Sequence, residues 1–222
     1  RKSGQCPPTG DFTLNMDMLS SNLIIIVLTC VVSYTAFNNE KLKDDWILNP
    51  YKAKRDNQYY RYLTYGFLHA DGMHLLFNMI TLFFFGSSIE KFYDSGLGIV
   101  GYPLFYLGAI ICSVIPSASL NQKNPRYNTL GASGAVSAVL FAYILFDPWT
   151  SLLIFFVIPC PAIVFAVLYV AYSIWFDRKG GDNVNHSAHL WGALYGIVVT
   201  LAVEPTVLGH FINQLANPVF TN

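Results

Sequence analysis

Six long stretches of the chain contain no Asp, Glu, Lys or Arg, and this distribution of charge limits the fold more than any other feature. They are 22, 18, 28, 20, 29 and 21 residues long, at positions 18–39, 72–89, 95–122, 127–146, 148–176 and 183–203. A helix that crosses a bilayer needs about 20 mostly apolar residues. A transmembrane β-barrel would show alternating segments of about ten residues instead. The pattern therefore predicts an all-α, multi-pass integral membrane protein with six transmembrane helices.

The composition agrees with this class. Charged residues make up 12% of the 222 residues, and the mean hydropathy is +0.42. Soluble domains carry about twice that share of charge, about 25%. The 13 basic and 13 acidic residues cancel, so the positive field that attracts nucleic acid is missing. We expect the lipid bilayer as a partner and no nucleic acid.

We predict a six-helix domain over residues 19–204, between an N-terminal segment, 1–18, and a C-terminal tail, 205–222. Segment 1–18 lacks the apolar core of a signal peptide, so we do not interpret it as one. Segment 38–62 is rich in charge and aromatic residues, and we expect a loop lying partly in the membrane interface. The predicted helices cover about 19–37, 74–92, 97–116, 133–146, 150–176 and 186–203. Pro159 and Pro161 are expected to kink the fifth helix.

Three polar motifs stand at the predicted starts of apolar helices, where polar groups are costly and mark functional sites. They read His74-Leu-Leu-Phe-Asn78, Gly131-Ala-Ser133-Gly134 and His186-Ser-Ala-His189-Leu-Trp-Gly192-Ala-Leu-Tyr-Gly196. The second motif admits two interpretations. Ser133 is either a small packing residue, as is common between membrane helices, or a nucleophile whose oxyanion the helix N-terminus stabilises. In the second case, Gly131 and Gly134 let a substrate backbone approach.

A serine nucleophile needs a base within hydrogen-bond reach, and His189 is the candidate. Gly192 and Gly196 lie on the same helix face as His189 and permit close approach of another helix. If that helix begins with Ser133, the imidazole and the hydroxyl meet. His74 and Asn78, four residues apart, would either donate to an oxyanion or join two helices by a hydrogen bond.

Together the three motifs, HxxxN, GASG and HxxGxxxG in this order, resemble those of the rhomboid family of intramembrane serine proteases. The resemblance implies a six-transmembrane-helix, rhomboid-like bundle of the bacterial type, in the bacterial inner (plasma) membrane. It also implies an endopeptidase that hydrolyses peptide bonds in or near transmembrane segments of membrane-protein substrates. No cofactor or metal is implied. The fifth helix, with loop 177–185, is predicted to form a lateral gate for the substrate.

The resemblance carries roles to individual residues. Ser133 would be the nucleophile and His189 the general base, a dyad that forms an acyl-enzyme. His74, Asn78 and the backbone N–H of Ser133 would form the oxyanion hole. His186 would either hydrogen-bond into the site or be an ordinary polar residue at the helix mouth.

The chain departs from the family pattern at several positions. Arg61 follows Tyr60, where the family has Trp before this Arg. Asp94 stands where the family's GxxxExxxG motif has its second glycine. Ser137 stands where many members have an aromatic residue that supports the imidazole. We therefore expect the support of His189 to come from elsewhere in the fold.

The orientation in the membrane is predicted differently by two arguments. The side with both termini carries three basic residues and the other side ten, so the positive-inside rule places the second side in the cytoplasm. The family topology has both termini cytoplasmic. We expect the family orientation, because an interfacial first loop need not be translocated as a simple chain.

Other functional classes fit the sequence less well. The chain has no HExxH motif, no pair of aspartates within the apolar runs and no charged relay of a transporter. His69, His74, His186 and His189 lack acid or Cys partners at metal-binding spacing. The main alternative is a catalytically silent rhomboid-like protein that binds membrane clients. Such relatives typically lose the serine or the histidine, and both are present here.

Overall fold

The computed structural model describes residues 20–154, 157–180 and 184–218. The predicted segment 1–18 and part of the predicted loop 177–185 lie outside these residues. The elements in chain order are α1 (Ser21–Phe37), α2 (Glu40–Trp46), α3 (Pro50–Arg55), α4 (Arg61–Thr64), a 3₁₀ turn (Tyr65–Phe67), α5 (Gly72–Thr81), a π-helical turn (Leu82–Gly86), α6 (Ser87–Leu97), α7 (Gly101–Leu120), α8 (Ser133–Phe146), β1 (Ser151–Ile154), β2 (Ile158–Pro161), α9 (Ala162–Lys179), α10 (His186–Val203) and α11 (Thr206–Ala216).

Several helices bury small or polar side chains and expose large apolar ones. In α1, Asn22, Thr29 and Ser33 are buried, whereas Val27 and Val31 are more than half exposed. Water would make such a surface unfavourable, since soluble proteins rarely expose large apolar patches. The distribution is that of a helix whose outer face contacts lipid, and it confirms an integral membrane protein.

Three helical stretches among the described residues are long and apolar enough to cross a membrane. They are the continuous stretch Gly72–Leu97, which joins α5, the π turn and α6, together with α7 and α10. α1 and α8 are apolar but shorter. The fold is therefore mostly helical with three strongly apolar spans, and the second predicted helix is longer than expected.

A buried amide joins α1 to the π turn. The Asn22 side chain donates to Leu82 O at 2.9 Å and accepts from the Tyr102 hydroxyl at 2.7 Å. Gly86 lies directly beneath this amide, and a Cβ there would collide with it. Glu90 continues the contact, because its carboxylate accepts from Ser20 Oγ at 2.5 Å. The start of α1 is thus attached to the middle of the long helical stretch.

The prediction of a loop over 38–62 is wrong in its secondary structure, because the segment contains α2, α3 and the start of α4. Asn39 and Asn49 cap α2 and α3 by accepting backbone N–H groups, and such caps start helices too short to form alone. Arg61 is only 3% exposed. Its guanidinium donates to Asp44 O at 2.6 Å and to Ile47 O at 2.9 Å, which holds the short helices together.

The prediction of one fifth helix over 150–176, and of an all-α fold, is wrong at a β-hairpin. β1 pairs antiparallel with β2, and α9 begins only at Ala162. Proline cannot donate in a helix and disfavours helical geometry in the residue before it. Pro159 therefore lies in β2 and Pro161 at the N-cap of α9, where the two prolines delay the helix instead of kinking it.

α8 is the central helix, and α10 crosses it at very short range. Most residues of α8 are buried, as expected for a helix that is apolar all round. A Cβ at Gly192 would collide with Gly134 O, and one at Gly196 would collide with Ala138 O. The glycine face of α10 therefore packs on α8, which is the pairing that the sequence could only suggest.

The segment after Pro205 contains a further helix, α11. It contacts the end of α8, because the His210 imidazole donates to Phe146 O at 2.9 Å. The Trp149 indole donates to Gln214 O at 2.8 Å. These bonds satisfy carbonyls near two helix ends, where no intrahelical donor remains.

His69, in the turn before α5, attaches that turn to α1. Ser33 Oγ donates to Phe67 O at 2.8 Å and lies 2.9 Å from His69 Nδ1. Ser33 uses its hydroxyl proton for Phe67 O, so Nδ1 of His69 is the donor to Ser33 Oγ. Burial first, and then His74, lowers the pKa of His69 to about 3.

Substitution of Gly192 tests the α8–α10 contact. The Gly192→Ala variant is expected to lose about 1–3 kcal/mol of unfolding free energy, because the backbone of α8 must move. Gly209 has open space around its Cα, so Gly209→Ala is the matched control and should gain about 0.5–1 kcal/mol from helix propensity. Unfolding midpoints in detergent measure both changes. A Gly192→Ala variant with the midpoint of the parent protein would contradict the close contact.

The lowered pKa of His69 predicts an acid-dependent stability. Below pH 6.5, His69 binds a proton in the unfolded chain but not in the folded chain. Its contribution to the free energy of unfolding is therefore fully present above pH 6.5 and is lost as the pH falls toward 3. The loss approaches about 1.4 kcal/mol per pH unit. His69→Gln should flatten this dependence between pH 6 and 4 in detergent unfolding experiments. An unchanged slope would show that His69 is not buried in its neutral form.

Candidate active site

Ser133 and His189 lie in direct hydrogen-bond contact. His189 Nε2 is 2.7 Å from Ser133 Oγ, and both side chains are half-buried. The contact exists because Gly192, one turn after His189 on α10, packs directly against the backbone of α8. The first turns of α8 and α10 therefore face each other. A hydroxyl at this distance can pass its proton to the imidazole.

The backbone at Gly131, two residues before Ser133, leaves space for the His74 ring to approach the Ser133 hydroxyl. Gly131 has φ +122°, a conformation that side chains disfavour. Its N–H donates to Tyr65 O at 3.0 Å, which fixes the loop. A Cβ at Gly131 would lie 2.8 Å from the His74 ring and 3.8 Å from Ser133 Oγ. Glycine is therefore required both for the backbone geometry and for the approach of His74.

Ser133 is the first residue of α8, and no described side chain caps that helix. The first turn of a helix has backbone N–H groups without intrahelical partners and the positive end of the dipole. A Cβ at Gly134 would collide with Ser113 Oγ of α7 and would lie 3.2 Å from Ala188 O of α10. The helix start is thus held against α7 and α10.

His74 and Asn78 both lie on α5, and the His74 ring approaches the Gly131 position just before this helix start. The carboxylate of Asp71 caps α5 by accepting from His74 N at 2.8 Å. Asn78 is 5% exposed, and its amide donates to His74 O at 2.8 Å. The structure brings the His74 ring near Ser133, whereas no hydrogen bond joins Asn78 to Ser133 within the described part of the chain.

The sequence did not identify the aromatic partner of His189. Tyr169 of α9 stacks on the imidazole with ring centroids 5.9 Å apart and an interplanar angle of 23°. Its hydroxyl lies 2.6 Å from Ser137 Oγ. The departure at Ser137 was the only signal in the sequence that the support of His189 comes from another element.

His186 is 4% exposed and belongs to an aromatic cluster at the start of α10. Its ring lies 5.4 Å from Phe176, 5.6 Å from Tyr172 and 5.7 Å from His189, measured between ring centroids. Both aromatic residues come from α9. His186 therefore connects α9 to the dyad through ring contacts.

Asn185 fixes the start of α10. Its Oδ1 accepts from Ala188 N at 3.0 Å, which caps the helix. Its Nδ2 lies 2.9 Å from Ser117 Oγ and 3.1 Å from the Tyr127 hydroxyl. These bonds join α10 to α7 and to the loop before α8, so the first turn of α10 has a defined position.

A cavity of about 570 Å³ lies between the long helical stretch of α5 and α6, the second half of α8, the β-hairpin and α9. Its lining is mostly apolar and includes Phe77, Phe84, Tyr143, Leu153 and Phe165. Neither Ser133 nor His189 belongs to the lining in the described residues. Among the described side chains, no group of three His, Cys, Asp or Glu is arranged to hold a metal ion.

Comparison with known proteins agrees with the geometry. The sequence model of the rhomboid domain matches residues 56–205. The chain is 29% identical to RHOMBOID-like protein 12, mitochondrial, of Arabidopsis thaliana over 182 residues, which are 77% of this chain and 54% of the relative. It is 30% identical to Rhomboid protease GlpG of Salmonella paratyphi A over 183 residues, 79% of this chain and 60% of the relative.

The chain thus spans 54% to 60% of the length of these curated relatives. The matched region contains every residue of the three polar motifs, including Ser133, His189 and His74. From the extent of this match, the chain belongs to the rhomboid family.

Proposed function

We propose that this protein is an intramembrane serine endopeptidase that uses Ser133 and His189 as a catalytic dyad. The observation that carries the proposal is the 2.7 Å separation of His189 Nε2 and Ser133 Oγ at the start of α8. Similarity to the GlpG rhomboid proteases over 79% of the chain supports the same reaction class.

The reaction follows from these two groups. His189 Nε2 takes the Ser133 proton while Oγ forms a bond to the carbonyl carbon of the substrate peptide. The imidazolium then gives that proton to the leaving amine as the C–N bond breaks, which leaves an acyl-enzyme. A water molecule, deprotonated by the same imidazole, attacks the ester and releases the acid. The serine regains its proton at the end, so the cycle is balanced.

The tetrahedral intermediate carries a negative charge that needs donors. We assign this role to the backbone N–H of Ser133, to the His74 ring and to the Asn78 amide. The N–H belongs to the first turn of α8, whose dipole favours an anion. The approach of His74 to the Gly131 position supports its place beside the same oxygen. Asn78 would turn its second amide proton toward the substrate.

The substrates are proposed to be transmembrane segments of membrane proteins. α8 has 14 residues and is therefore about 21 Å long, shorter than a hydrocarbon core of about 30 Å. If its C-terminal end reaches one surface, Ser133 lies about 9 Å inside the other. A substrate helix must unwind locally to offer a carbonyl there, because an intact helix uses its carbonyls internally.

We propose six spans in total, namely α1, the α5–α6 stretch, α7, α8, α9 and α10. The cavity beside α9 is the proposed entrance for the substrate helix, since its apolar lining resembles the lipid environment that the helix leaves. The bacterial inner membrane stays a prediction, because the relatives named above include a plant mitochondrial protein and bacterial proteases.

Removal of either dyad residue should abolish cleavage. Ser133→Ala and His189→Ala are each expected to lower kcat for a generic transmembrane substrate by at least about 10³-fold, because neither half of the dyad works alone. The assay uses purified protein in lipid vesicles. Ser133 should also react with a serine-specific fluorophosphonate in the parent protein.

The matched controls are Ser95→Ala and His210→Gln, which change the same residue types outside the site. Ser95 is exposed and bonds only to a backbone carbonyl among the described groups. Equal cleavage by the parent and both dyad variants would refute the dyad. Absence of both cleavage and labelling in the parent would favour the client-binding alternative.

Loss of an oxyanion donor should affect the chemical step more than binding. His74→Ala and Asn78→Ala are each expected to lower kcat by about 10²–10³-fold with little change in KM. Met73→Ala, an exposed neighbour on α5, is the control and should leave kcat within the error of the parent. A reduction no larger than that of the control would remove the residue from the oxyanion hole.

A further inference from the structure

Tyr169 connects α9 to both helices that carry the dyad. Its ring stacks on the His189 imidazole of α10 at 5.9 Å and 23°. Its hydroxyl lies 2.6 Å from Ser137 Oγ, one turn after Ser133 on α8. One side chain therefore contacts the base directly and the helix of the nucleophile through a hydrogen bond.

The ring of Tyr169 has aromatic neighbours on other sides too. The centroid of Phe141, on α8, lies 5.8 Å away, and that of Phe165, on α9, lies 5.7 Å away. Together with the hydrogen bond to Ser137, these contacts restrict the orientation of the phenol ring. A ring fixed in this way is a rigid surface for the imidazole to lie against.

We propose that Tyr169 is the positioning residue of the general base, and that α9 thereby supplies the aromatic support that α8 lacks at Ser137. This inference rests on the proposed function of His189. An imidazole turns about its Cβ–Cγ bond, and a parallel ring close to one face blocks that rotation. Tyr169 holds Nε2 toward Ser133 Oγ without touching the reacting atoms.

This arrangement makes the base depend on the position of α9. Phe165 on α9 lines the apolar cavity, and Tyr172 and Phe176, on the same helix, contact His186 next to the dyad. The residues at 165, 169, 172 and 176 follow the spacing of one helix face. Because these rings all lie on α9, the position of that helix determines the aromatic contacts of both histidines.

The test compares side chains at position 169 in the full chain, reconstituted in lipid vesicles with a generic transmembrane substrate. Tyr169→Leu removes the flat ring and should lower kcat by on the order of 10–100-fold, because small displacements of a catalytic group carry losses of that size. KM should stay within about 2-fold, since the substrate contacts are unchanged. Tyr169→Phe keeps the ring and should retain kcat within about 3-fold of the parent.

Tyr169→Met is a second ring-free variant, for use if Tyr169→Leu does not fold. Its flexible thioether fills the space of the lost ring, and we expect the same loss of kcat. Trp175→Leu is the matched control for loss of an aromatic residue from α9, at a position that is 55% exposed, and should leave kcat unchanged. Melting temperatures are measured for every variant.

A ring-free variant with the kcat of the parent would overturn the inference, and so would a Tyr169→Phe variant as slow as Tyr169→Leu. Ser133→Ala separates this result from the proposed function. If Ser133→Ala is inactive while the ring-free variants are fully active, only the role of Tyr169 is wrong. If Ser133→Ala keeps the activity of the parent, the dyad itself is wrong.

Discussion

The crossing of α8 and α10 is the contact on which the candidate site depends. Gly192 and Gly196 bring the backbone of α10 onto that of α8, where any Cβ would collide with a carbonyl. Without a hydrophobic driving force between helices in lipid, such close packing is itself a main source of association energy. The same approach brings His189 within 2.7 Å of Ser133. Stability of the helix pair and geometry of the dyad therefore come from one feature.

Polar side chains inside the bundle act as fixed links between elements whose outer surfaces are apolar. Asn22 joins α1 to the π turn and α7, and Asn185 joins the start of α10 to α7 and the loop before α8. Arg61 ties the short helices to one another. Each link satisfies a buried donor or acceptor that would otherwise be costly in a low-dielectric interior.

The sequence predicted the elements that depend on local pattern. The bounds of α8 and α10 follow from the polar motifs at their starts and from the ends of two charge-free runs at 146 and 203, and both were predicted correctly. The prediction was wrong near Pro159 and Pro161, because a 29-residue apolar run has the composition of a helix whether or not its first part pairs as strands. The short helices α2 and α3 were missed because their caps are local, whereas the loop length suggested irregular structure.

By itself, the sequence determined that the chain resides in a membrane, that most of it is helical and which polar residues stand at the helix starts. These properties depend on the order of charges and apolar residues along the chain, which is readable without coordinates. Only the tertiary structure decided which helices meet, that His189 reaches Ser133 and that Tyr169 lies on the imidazole. Such contacts join residues 56 positions apart in the case of Ser133 and His189, and 20 apart in the case of Tyr169 and His189. They depend on how whole helices pack, because no local pattern records the partner of a face.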